Sequence, residues 1–418
     1  MEIGKTPDEL YRERLKRVED AIQLKAPDRV PFLPRMGFLA APYAGLSSEE
    51  AFYRSDRWLS ANRKLITEVE PDMYKVAAYV GQSLEAVDCR QLKWPGHGGP
   101  ANSSYQYVEK EYMKAEEYDA FLDDPSDFLV RTYLPRIFGT LEPLRKLPSL
   151  PTLFAKGYNG ATSSAAFADP EMAQAFMSLY KAGVEARRYR SEMAALDKEL
   201  RVLGFPKSAA WPNLNAPFDT VADMFRGIKG TMMDMYRQPD KLLAMIDKLL
   251  NFKLREDIAK MKKTVDFPAV EITLHLGADG FMSAEQFETF YWPSLKKMIL
   301  ALISEGITPC PFLEGDWTTR LRYFTDLPKG KVMLYMGSTD LAKTKDILGG
   351  ITCLAGNMPL SILHSGTPEQ VRAYSKKLID EVGKGGGFIM SSRGAMDDAR
   401  PELVKVWAEF TREYGVYE

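Results

Sequence analysis

The sequence predicts a (β/α)8 TIM barrel, an α/β fold in which eight parallel strands form a closed ring inside a layer of helices. From about residue 270 to residue 394 the chain repeats one unit five times: an apolar run, a polar cluster and a helical segment. Strands that alternate with helices in this way are typical of a parallel sheet. Three earlier apolar runs raise the number of predicted strands to eight, which such a barrel requires.

The N-terminal part predicts an extension followed by the first two strands. Residues 5–26 have the apolar spacing of a charged amphipathic helix, so about residues 1–28 form a predicted N-terminal helical extension. The runs 30–33 and 72–77 are the first two strand candidates. Residues 80–110 are rich in turn-forming residues and predict irregular structure, either a hairpin or a flap over a site.

A long helical insertion precedes the third strand candidate. Residues 170–203 are rich in Ala, Met, Glu and Arg, with apolar side chains at helical spacing. About residues 165–205 are therefore predicted to form a helical insertion that packs over the barrel or against a partner subunit. The third strand candidate is 208–215, and the five later candidates are 270–276, 307–313, 331–336, 351–355 and 388–391.

Two of the later helices have clear start signals. Ser283 followed by Gln286, and Thr367 followed by Gln370, have the spacing of capping boxes. Pro368 also stands at the first position of its predicted helix, where proline is favoured. These signals place helices directly after the polar clusters, as the repeated unit requires.

The composition favours a cytoplasmic enzyme. Lys+Arg 55 and Asp+Glu 57 nearly balance, which argues against nucleic-acid or membrane-surface partners because these select basic proteins. No apolar run approaches the roughly 20 residues of a membrane span, and the N-terminus lacks the apolar core of a signal peptide. Three cysteines without paired spacing favour a reducing compartment. No linker-like segment divides the chain, so residues 1–418 are predicted to form a single barrel domain.

Several segments resemble a known family when they are taken in order. They are APDRVP (26–31), APF (216–218), FRG (225–227), GADGFMS (277–283) and GTPEQV (366–371). Together they resemble the uroporphyrinogen decarboxylase superfamily from about Arg14 to the C-terminus. The resemblance implies the barrel and one of two activities. One is decarboxylation of a tetrapyrrole that carries acetate groups, and the other is methyl transfer to or from the cobalt of a corrinoid, usually with zinc.

Departures from both family patterns favour a particular branch. The decarboxylases carry an arginine-rich run after the first strand that grips substrate carboxylates, and here only Arg35 matches it. Their C-terminal Gly-His-Gly is replaced by residues around Arg393. The zinc methyltransferases place His-x-Cys-Gly where this chain has Phe-Leu-Glu-Gly at 312–315. The chain therefore resembles most closely the corrinoid-dependent methyltransferases that remove methyl groups from ethers.

This resemblance implies a methyltransferase that moves a methyl group from a small methylated donor to the Co(I) of a corrinoid protein. A methoxylated aromatic is the expected donor, so the reaction is an O-demethylation. The chain has no Asp-x-His-x-x-Gly signature for holding the corrinoid, so the corrinoid (cobalamin) is expected on a separate partner protein. A homodimer is also expected. The alternatives are a uroporphyrinogen decarboxylase-like lyase that acts on a tetrapyrrole, and a non-catalytic corrinoid-binding barrel.

Ether cleavage needs a group that protonates the leaving oxygen or a Lewis acid that binds it. The candidate acids at the ends of the late strands are Glu314, Asp316, Asp279 and His275. Burial in an apolar pocket raises the pKa of a carboxyl group, which could then donate a proton near neutral pH. Each residue also has a structural alternative. Glu314 and Asp316 could cap the next helix, Asp279 could stabilise a turn, and His275 could be a core residue.

A metal is a further option for activating the oxygen. Cys353 could join Glu314 and His275 in a zinc site, because zinc accepts oxygen, nitrogen and sulfur ligands. As a lone cysteine, Cys353 is explained more simply as a small core residue.

The predicted substrate contacts are of two kinds. Trp211, Trp317 and Tyr335 are aromatic residues suited to stacking on an aromatic substrate or a corrin, although core packing would explain them as well. Asn357 and Arg393 are polar residues on successive strand ends, suited to a substrate carboxylate or a corrin side chain.

Overall fold

The computed structural model describes residues 4–101, 103–154, 162, 164–208, 213–261 and 266–417. Trp211, a predicted substrate contact, lies outside these residues. Two sheets occur in the described part of the chain. The smaller sheet comprises β1 (Leu92–Pro95), β2 (Gly98–Gly99) and β3 (Gln106–Tyr107). The larger comprises β4 (Leu214–Asn215), β5 (Ala269–Leu274), β6 (Thr308–Leu313), β7 (Met333–Met336), β8 (Cys353–Met358) and β9 (Phe388–Ser392).

The larger sheet is parallel throughout, and its strands lie side by side in chain order. Leu313 of β6 is level with Leu274 of β5 on one side and with Met336 of β7 on the other. The C-terminal ends of these strands consequently meet at one edge of the sheet.

Additional parallel bridges close this sheet into a ring. Phe32 pairs with Met390 of β9, and the Asp72 N–H donates to the Phe32 carbonyl at 3.0 Å. Tyr74 pairs in parallel with Lys207, whose segment leads along the chain to β4. Eight strand positions therefore follow one another round a closed barrel, and the predicted (β/α)8 fold is confirmed.

Side chains alternate along the strands and form two separate apolar cores. The inner core fills the barrel and includes Leu33, Met73, Ala269, Cys310, Phe312, Met333, Tyr335, Cys353, Ala355 and Ile389. The outer core lies between strands and helices and includes Val270, Ile272, Leu274, Leu313, Leu334, Met336, Leu354, Phe388 and Met390. Because successive side chains point to opposite faces, polar residues at the inward positions project into the barrel.

The helices surround the barrel and cover its outer core. They are α1 (Pro7–Ile22), α2 (Ala40–Tyr43), α3 (Ser48–Tyr53), α4 (Ser55–Val69), α5 (Gly81–Ala86), α6 (Tyr118–Asp123), α7 (Pro125–Phe128), α8 (Leu134–Ile137), α9 (Leu150–Phe154), α10 (Pro170–Val202), α11 (Pro217–Val221), α12 (Gly227–Arg237), α13 (Pro239–Met261), α14 (Ala284–Gln286), α15 (Trp292–Ser304), α16 (Leu341–Leu348), α17 (Leu360–Ser365), α18 (Pro368–Leu378) and α19 (Pro401–Tyr414). In the described part of the chain, no helix combines the length and the apolar character needed to cross a membrane.

Short 3-10 or π-helical segments adjoin many of these helices. They are Ala115–Glu117, Leu129–Tyr133, Gly139–Lys146, Ser164–Ala168, Ala222–Arg226, Phe287–Tyr291, Thr318–Asp326 and Ile379–Gly383. The capping boxes predicted at Ser283 and Thr367 are present and begin α14 and α18.

Helices α1 and α10 are the predicted extension and insertion. A capping box at Thr6 begins α1, and its apolar residues Val18, Ala21 and Ile22 pack against the inner core. Helix α10 spans 33 residues and begins at Asp169, whose side chain accepts hydrogen bonds from the first turn. Helix α1 thus covers the barrel end opposite the strand C-termini, which leaves the C-terminal end for a site.

A buried ion cluster joins α1 to the first two strand positions. The Asp72 carboxylate is fully buried and accepts hydrogen bonds from Arg17 at 2.5 Å and from Arg29 at 2.8 Å. It also accepts the Phe32 N–H at 2.7 Å. Burial opposes this charge, but Arg29 and Arg17 outweigh it and lower the pKa of Asp72 below 3.8. Asp72 therefore holds the extension and the start of the barrel together.

We expect Asp72→Asn to reduce the free energy of unfolding by about 3–5 kcal/mol, because it removes the countercharge of the buried Arg29 and one of the two countercharges of the buried Arg17. Asp28→Asn is the matched control, because Asp28 pairs with the same Arg17 but is 60% exposed. Its expected cost is below about 1 kcal/mol. Urea unfolding at pH 7 measures both. Because the folded pKa of Asp72 is lowered, its contribution is present above pH 3.8 and is lost as the pH falls through the folded value.

Candidate active site

His275 and Glu314 lie on neighbouring strand ends at the C-terminal mouth of the barrel. The inward positions of β5 include Ala269 and Glu271, and continuing that alternation past the strand reaches His275. On β6 the same alternation leads from Phe312 to Glu314. The Glu314 N–H donates to the Leu274 carbonyl at 3.0 Å, so both residues stand at one level of the barrel.

His275 is held as a cation at this mouth. Its Nε2 lies 2.9 Å from Oδ2 of Asp223, and both side chains are about one quarter exposed. Burial disfavours the charged ring, but the hydrogen bond to Asp223 and the charges of Asp219, Asp223 and Glu314 outweigh it. Together they raise the pKa of His275 to about 9. His275 is therefore an imidazolium at neutral pH. Its Nδ1 has no hydrogen-bond partner among the described residues.

Asp219 lies behind His275 and fixes the strand end that carries it. Its fully buried carboxylate accepts the N–H groups of His275 and Leu276 at 3.0 and 3.3 Å and the Tyr291 hydroxyl at 2.8 Å. Burial raises the pKa of Asp219 to about 6, although the charge of His275 works in the opposite direction. A Cβ on Gly277 would come within 2.7 Å of the Tyr291 ring, so glycine is required there.

Sequence reasoning missed Asp219 and Asp223. The available signal was their spacing, since residues four apart after Ala216-Pro217-Phe218 lie on one face of a helix. A carboxylate in an apolar segment gives no indication of its partner across the barrel, however. The partner, His275, is 52 residues from Asp223 along the chain.

The carboxylate of Glu314 is exposed and has no partner among the described residues. Its side chain forms no hydrogen bond or ion pair with any other residue that the structure describes, and its backbone carbonyl accepts the Trp317 indole N–H at 2.8 Å. The negative charge of Glu314 contributes to the raised pKa of His275. Glu314 and His275 therefore face the same space, as expected from the sequence.

Asp279 and Asp316 are engaged in local structure. Asp316 accepts the Thr318 N–H and hydroxyl at 3.0 and 2.6 Å, and so caps the segment Thr318–Asp326. Asp279 accepts the N–H and hydroxyl of Thr319 at 2.9 and 2.6 Å. Of the alternatives that the sequence left open, capping accounts for Asp316. Asp279, expected to stabilise its own turn, instead bonds the distant Thr319.

Arg35 forms a second, positively charged group inside the barrel. Its Nη2 donates to Glu271 at 2.8 Å, and Lys75 contacts the other oxygen of Glu271 at 3.0 Å. Burial opposes the charge of Glu271, but Arg35 and Lys75 outweigh it and lower the pKa of Glu271 to about 2. The Arg35 guanidinium lies over the rings of Phe312 and Tyr335, at 4.0 and 5.2 Å from their centres.

Part of the Arg35 donor capacity is unused. Its Nε and Nη1 are buried and have no hydrogen-bond partner among the described residues, and the same is true of Nε of Arg393. Buried N–H groups without partners are costly, so such groups point to an acceptor that arrives with a ligand. Arg35 and Arg393 are therefore candidates for binding an anionic group.

A flap made of β1 to β3 lies beside this mouth. Tyr107 is close enough to Asp223 for its charge to act on the phenol, whose pKa is raised to about 12, mainly by burial. Tyr105 stacks edge-on against Tyr107, with ring centres 5.5 Å apart. The flap is anchored behind by Glu111, which pairs with Arg226. For residues 80–110 the sequence left a hairpin and a flap over a site open. The antiparallel pairing of β1 with β3 agrees with the hairpin, and a role as a flap stays a prediction.

Comparison with known proteins identifies the family. The uroporphyrinogen decarboxylase (URO-D) family profile matches residues 196–414, more than half of the chain. This chain belongs to the uroporphyrinogen decarboxylase family. The match includes β4 to β9 and the residues His275, Asp223, Asp219 and Glu314.

Curated relatives of the family are distant. Uroporphyrinogen decarboxylase from Chlorobium luteolum is 25% identical over 238 residues, 56% of this chain and 65% of that protein. The enzyme from Chlorobium phaeovibrioides is 29% identical over 137 residues, 32% of this chain and 38% of that protein. The matches thus span less than two thirds of these relatives.

Among solved structures, a methyltransferase from Methanosarcina mazei is similar along almost the whole chain. Its TM-score is 0.62 at 15% identity, and the superposition covers 96% of this chain and 98% of that one. This likeness shows that the two chains share a fold.

Two of the predicted site residues are placed elsewhere by the fold. Trp317 is fully buried in the outer core against Tyr291 and Phe324, so the prediction that it stacks on substrate is wrong. Cys353 lies in the inner core on β8, four residues before Asn357. Because a strand rises about 3.3 Å per residue, Cys353 is about 13 Å farther from the mouth along the strand than Asn357. The predicted set of Glu314, His275 and Cys353 is therefore not assembled.

The remaining predicted contacts lie at or below the mouth. Tyr335 is in the inner core beside Arg35, whereas the Asn357 amide donates to the carbonyls of Gly337 and Thr339 and holds that loop. Arg393 follows β9, and its partly buried side chain has the unpaired Nε noted above. A role in binding stays a prediction for Tyr335, Asn357 and Arg393.

We expect the imidazole of His275 to titrate near pH 9 and Asp223→Asn to lower that value by roughly 1–2 units, because the ring loses its closest anion. Proton NMR of the ring resonances is practical, since the chain has only three histidines. Glu314→Gln, which removes a weaker influence, should lower the pKa less. Because the folded pKa is raised, His275 contributes stability below pH 6.5 that is lost as the pH rises through about 9.

Proposed function

We propose that this chain is a methyltransferase that moves the methyl group of a methoxylated aromatic compound to the Co(I) of a corrinoid carried by a separate protein. The observation that carries the proposal is the imidazolium of His275, held by Asp223 at the open mouth of the barrel beside the unpaired Glu314. Ether cleavage needs such a proton donor, because an unprotonated phenolate is a poor leaving group.

The corrinoid would supply a strong nucleophile that accepts the methyl group from the ether oxygen. As the carbon–oxygen bond breaks, the bonding pair stays on oxygen, and Nδ1–H of His275 protonates it to give the phenol. The Nε2–H remains bonded to Asp223, which keeps the ring oriented and charged. A donor with a pKa near 9 is well matched to a phenol with a pKa near 10.

The inner part of the barrel supports an aromatic substrate that carries a negative charge. Phe312 and Tyr335 present ring faces next to Arg35, whose free Nε and Nη1 can bind a carboxylate. The positive group lies inside the barrel and the proton donor is at its mouth. A methoxylated benzoate could span both, with its carboxylate at Arg35 and its ether oxygen at His275.

The described residues do not favour zinc as the activating group. No cluster of three or more His, Cys, Asp or Glu residues in the described part of the chain has a geometry that could hold a metal ion. The donor set predicted from the sequence does not fit, so no step of the proposed reaction is assigned to a metal ion of this chain.

A decarboxylase reaction on a tetrapyrrole is the second candidate. It is favoured by the curated relatives, which are uroporphyrinogen decarboxylases, and by the unpaired N–H groups of Arg35, which suit a substrate carboxylate. Incubation with uroporphyrinogen and product analysis separates the two. If the protein releases CO2 from uroporphyrinogen and forms no phenol from methoxyarenes, the decarboxylase reaction replaces the methyltransferase reaction as the proposed function.

We expect His275→Gln to lower the rate of phenol release from methoxyarenes by about 10²–10⁴-fold, the usual contribution of a general acid. The assay combines the protein anaerobically with a reduced corrinoid protein and a panel of methoxyarenes, and phenols are quantified by chromatography. His364→Gln is the control, because His364 is exposed and bonds the backbone carbonyl of Asp398. Wild-type activity should fall above about pH 9 as His275 loses its proton. Unchanged activity in His275→Gln, or no phenol from any donor, would exclude this mechanism.

We expect Arg35→Lys to raise KM for methoxybenzoates by roughly tenfold or more while leaving KM for neutral methoxybenzenes nearly unchanged. Lysine keeps one positive charge next to Glu271 but cannot present two N–H groups to a carboxylate. The matched control is Arg322→Lys, at an exposed arginine whose contacts are with Tyr323 and Glu288. An equal effect on KM for charged and neutral donors would show that Arg35 stabilises the barrel and does not bind the substrate carboxylate.

A further inference from the structure

A cavity of about 200 Å³ lies near the N-terminal ends of the first two strand positions, at the base of the barrel and away from its mouth. Its walls come from α1, the segment before the first strand position, the end of α4 and α19. The polar residues that line it are Arg14, Arg17, Arg29, Arg412, Glu13 and Glu70. Glu13 pairs with Lys5 at 2.6 Å, and its side chain is 39% exposed, so solvent reaches this edge of the cavity.

Two of the four arginines are neutralised by carboxylates of the chain. Arg17 bonds Asp28 and Asp72, both at 2.5 Å, and Arg29 bonds Asp72 at 2.8 Å. Burial opposes the charge of Arg17, but Asp28 and Asp72 outweigh it and raise the pKa of Arg17 above its usual value. Arg17 and Arg29 therefore have their countercharges without any ligand.

Arg14 and Arg412 have no such partner. Neither forms an ion pair with a carboxylate of the described residues, and each guanidinium donates only to backbone carbonyls. Nη1 of Arg14 donates to Gly204 at 2.7 Å, and Nη1 of Arg412 donates to Val69 at 2.8 Å and to Glu70 at 3.5 Å. Their Nε and Nη2 atoms have no acceptor in the described part of the chain. Arg14 is only 6% exposed, so its unused donors lie in the interior of the protein.

Burial is the dominant influence on these two guanidiniums. It lowers the pKa of Arg14 and of Arg412 below the usual value, and the charges of Asp72 and Glu70 offset this only in part. Repulsion from Arg29 acts in the same direction as burial. A buried charge is costly unless a countercharge contacts it, and buried N–H groups without acceptors add to that cost. Two such guanidiniums that line one cavity indicate a site for an anion.

We propose that this cavity binds a phosphate group, either as free inorganic phosphate or at the end of a small phosphate ester. A tetrahedral phosphate accepts hydrogen bonds from guanidiniums on different sides, here Arg14 of α1 and Arg412 of α19, whereas a planar carboxylate suits one bidentate arginine. A water molecule occupies about 30 Å³ in the liquid, so this cavity has room for a phosphate and a short substituent. The bound group joins α1, the end of α4 and α19, and so stabilises the folded chain.

Isothermal titration of the full chain with inorganic phosphate, at constant ionic strength, measures the affinity. We expect saturable binding with a Kd below about 1 mM, because the hydrogen bonds are charge-assisted. Arg412→Gln should raise Kd at least about tenfold, and Arg412→Lys, which keeps the charge but loses the planar fork, should have a smaller effect. Arg322→Gln is the matched control, since Arg322 is exposed and contacts Tyr323 and Glu288, and it should leave Kd unchanged.

Thermal unfolding separates a ligand-binding arginine from a structural one. A ligand that binds only the folded chain raises Tm, so phosphate should raise the Tm of the wild type and of Arg322→Gln but not that of Arg412→Gln. In phosphate-free buffer the Tm of Arg412→Gln should equal or exceed that of the wild type, because the substitution removes a charge that burial disfavours. Glutamine can still donate to the Val69 carbonyl.

Glycerol 3-phosphate in place of inorganic phosphate distinguishes the two sources of the group. Tighter binding of the ester assigns the cavity to a phosphorylated metabolite, because the substituent then adds contacts. Equal or weaker binding of the ester assigns it to free phosphate.

Three results would overturn the proposal. They are the absence of saturable binding of either compound, an unchanged phosphate affinity in Arg412→Gln, and a lower Tm of Arg412→Gln in phosphate-free buffer. The last result would show that Arg412 only supports the fold. Phosphate binding that is lost in Arg35→Lys and kept in Arg412→Gln would assign the phosphate to the barrel interior and not to this cavity.

Discussion

Closure of the parallel sheet is the constraint on which the rest of this structure depends. Once Phe32 pairs with Met390, every strand has two neighbours, and every second side chain must enter the barrel. The interior is then apolar near the N-terminal ends, where α1 covers it, and polar near the C-terminal ends. Closure thus places His275, Glu314 and Arg35 on the inner side of one barrel, although they lie on three different strand ends.

The polar residues on that inner side form two groups of opposite charge. Asp219, Asp223 and Glu314 surround His275, and their charges outweigh the burial that disfavours a charged ring, so the ring stays protonated. Arg35 and Lys75 share Glu271, which leaves an excess of positive charge and unused N–H groups. A substrate with an anionic end and an ether oxygen would be oriented by these two groups before any bond is broken.

The sequence supported the barrel because strand-helix alternation is a local and repeated signal. It pointed to Glu314 because that residue stands where the relatives hold a ligand, and to His275 because it follows an apolar run, although the face of the strand that carries His275 was left open. It misplaced Trp317, since an aromatic residue after a strand can turn toward the helices as easily as toward the mouth, and here Tyr291 and Phe324 receive it. It also wrongly grouped Cys353 with the residues at the mouth. The depth of a residue in the barrel depends on the register between neighbouring strands, and the sequence does not show that register.

The sequence by itself determined the order of the elements, the inward and outward periodicity of the strands and the start of the helices, because these depend on neighbouring residues. The tertiary structure alone decided which charges meet. Asp223 acts on His275, and Arg35 on Glu271, across 52 and 236 residues of chain. Such pairs form only when the ring closes, and they are the ones that set the protonation state of the site.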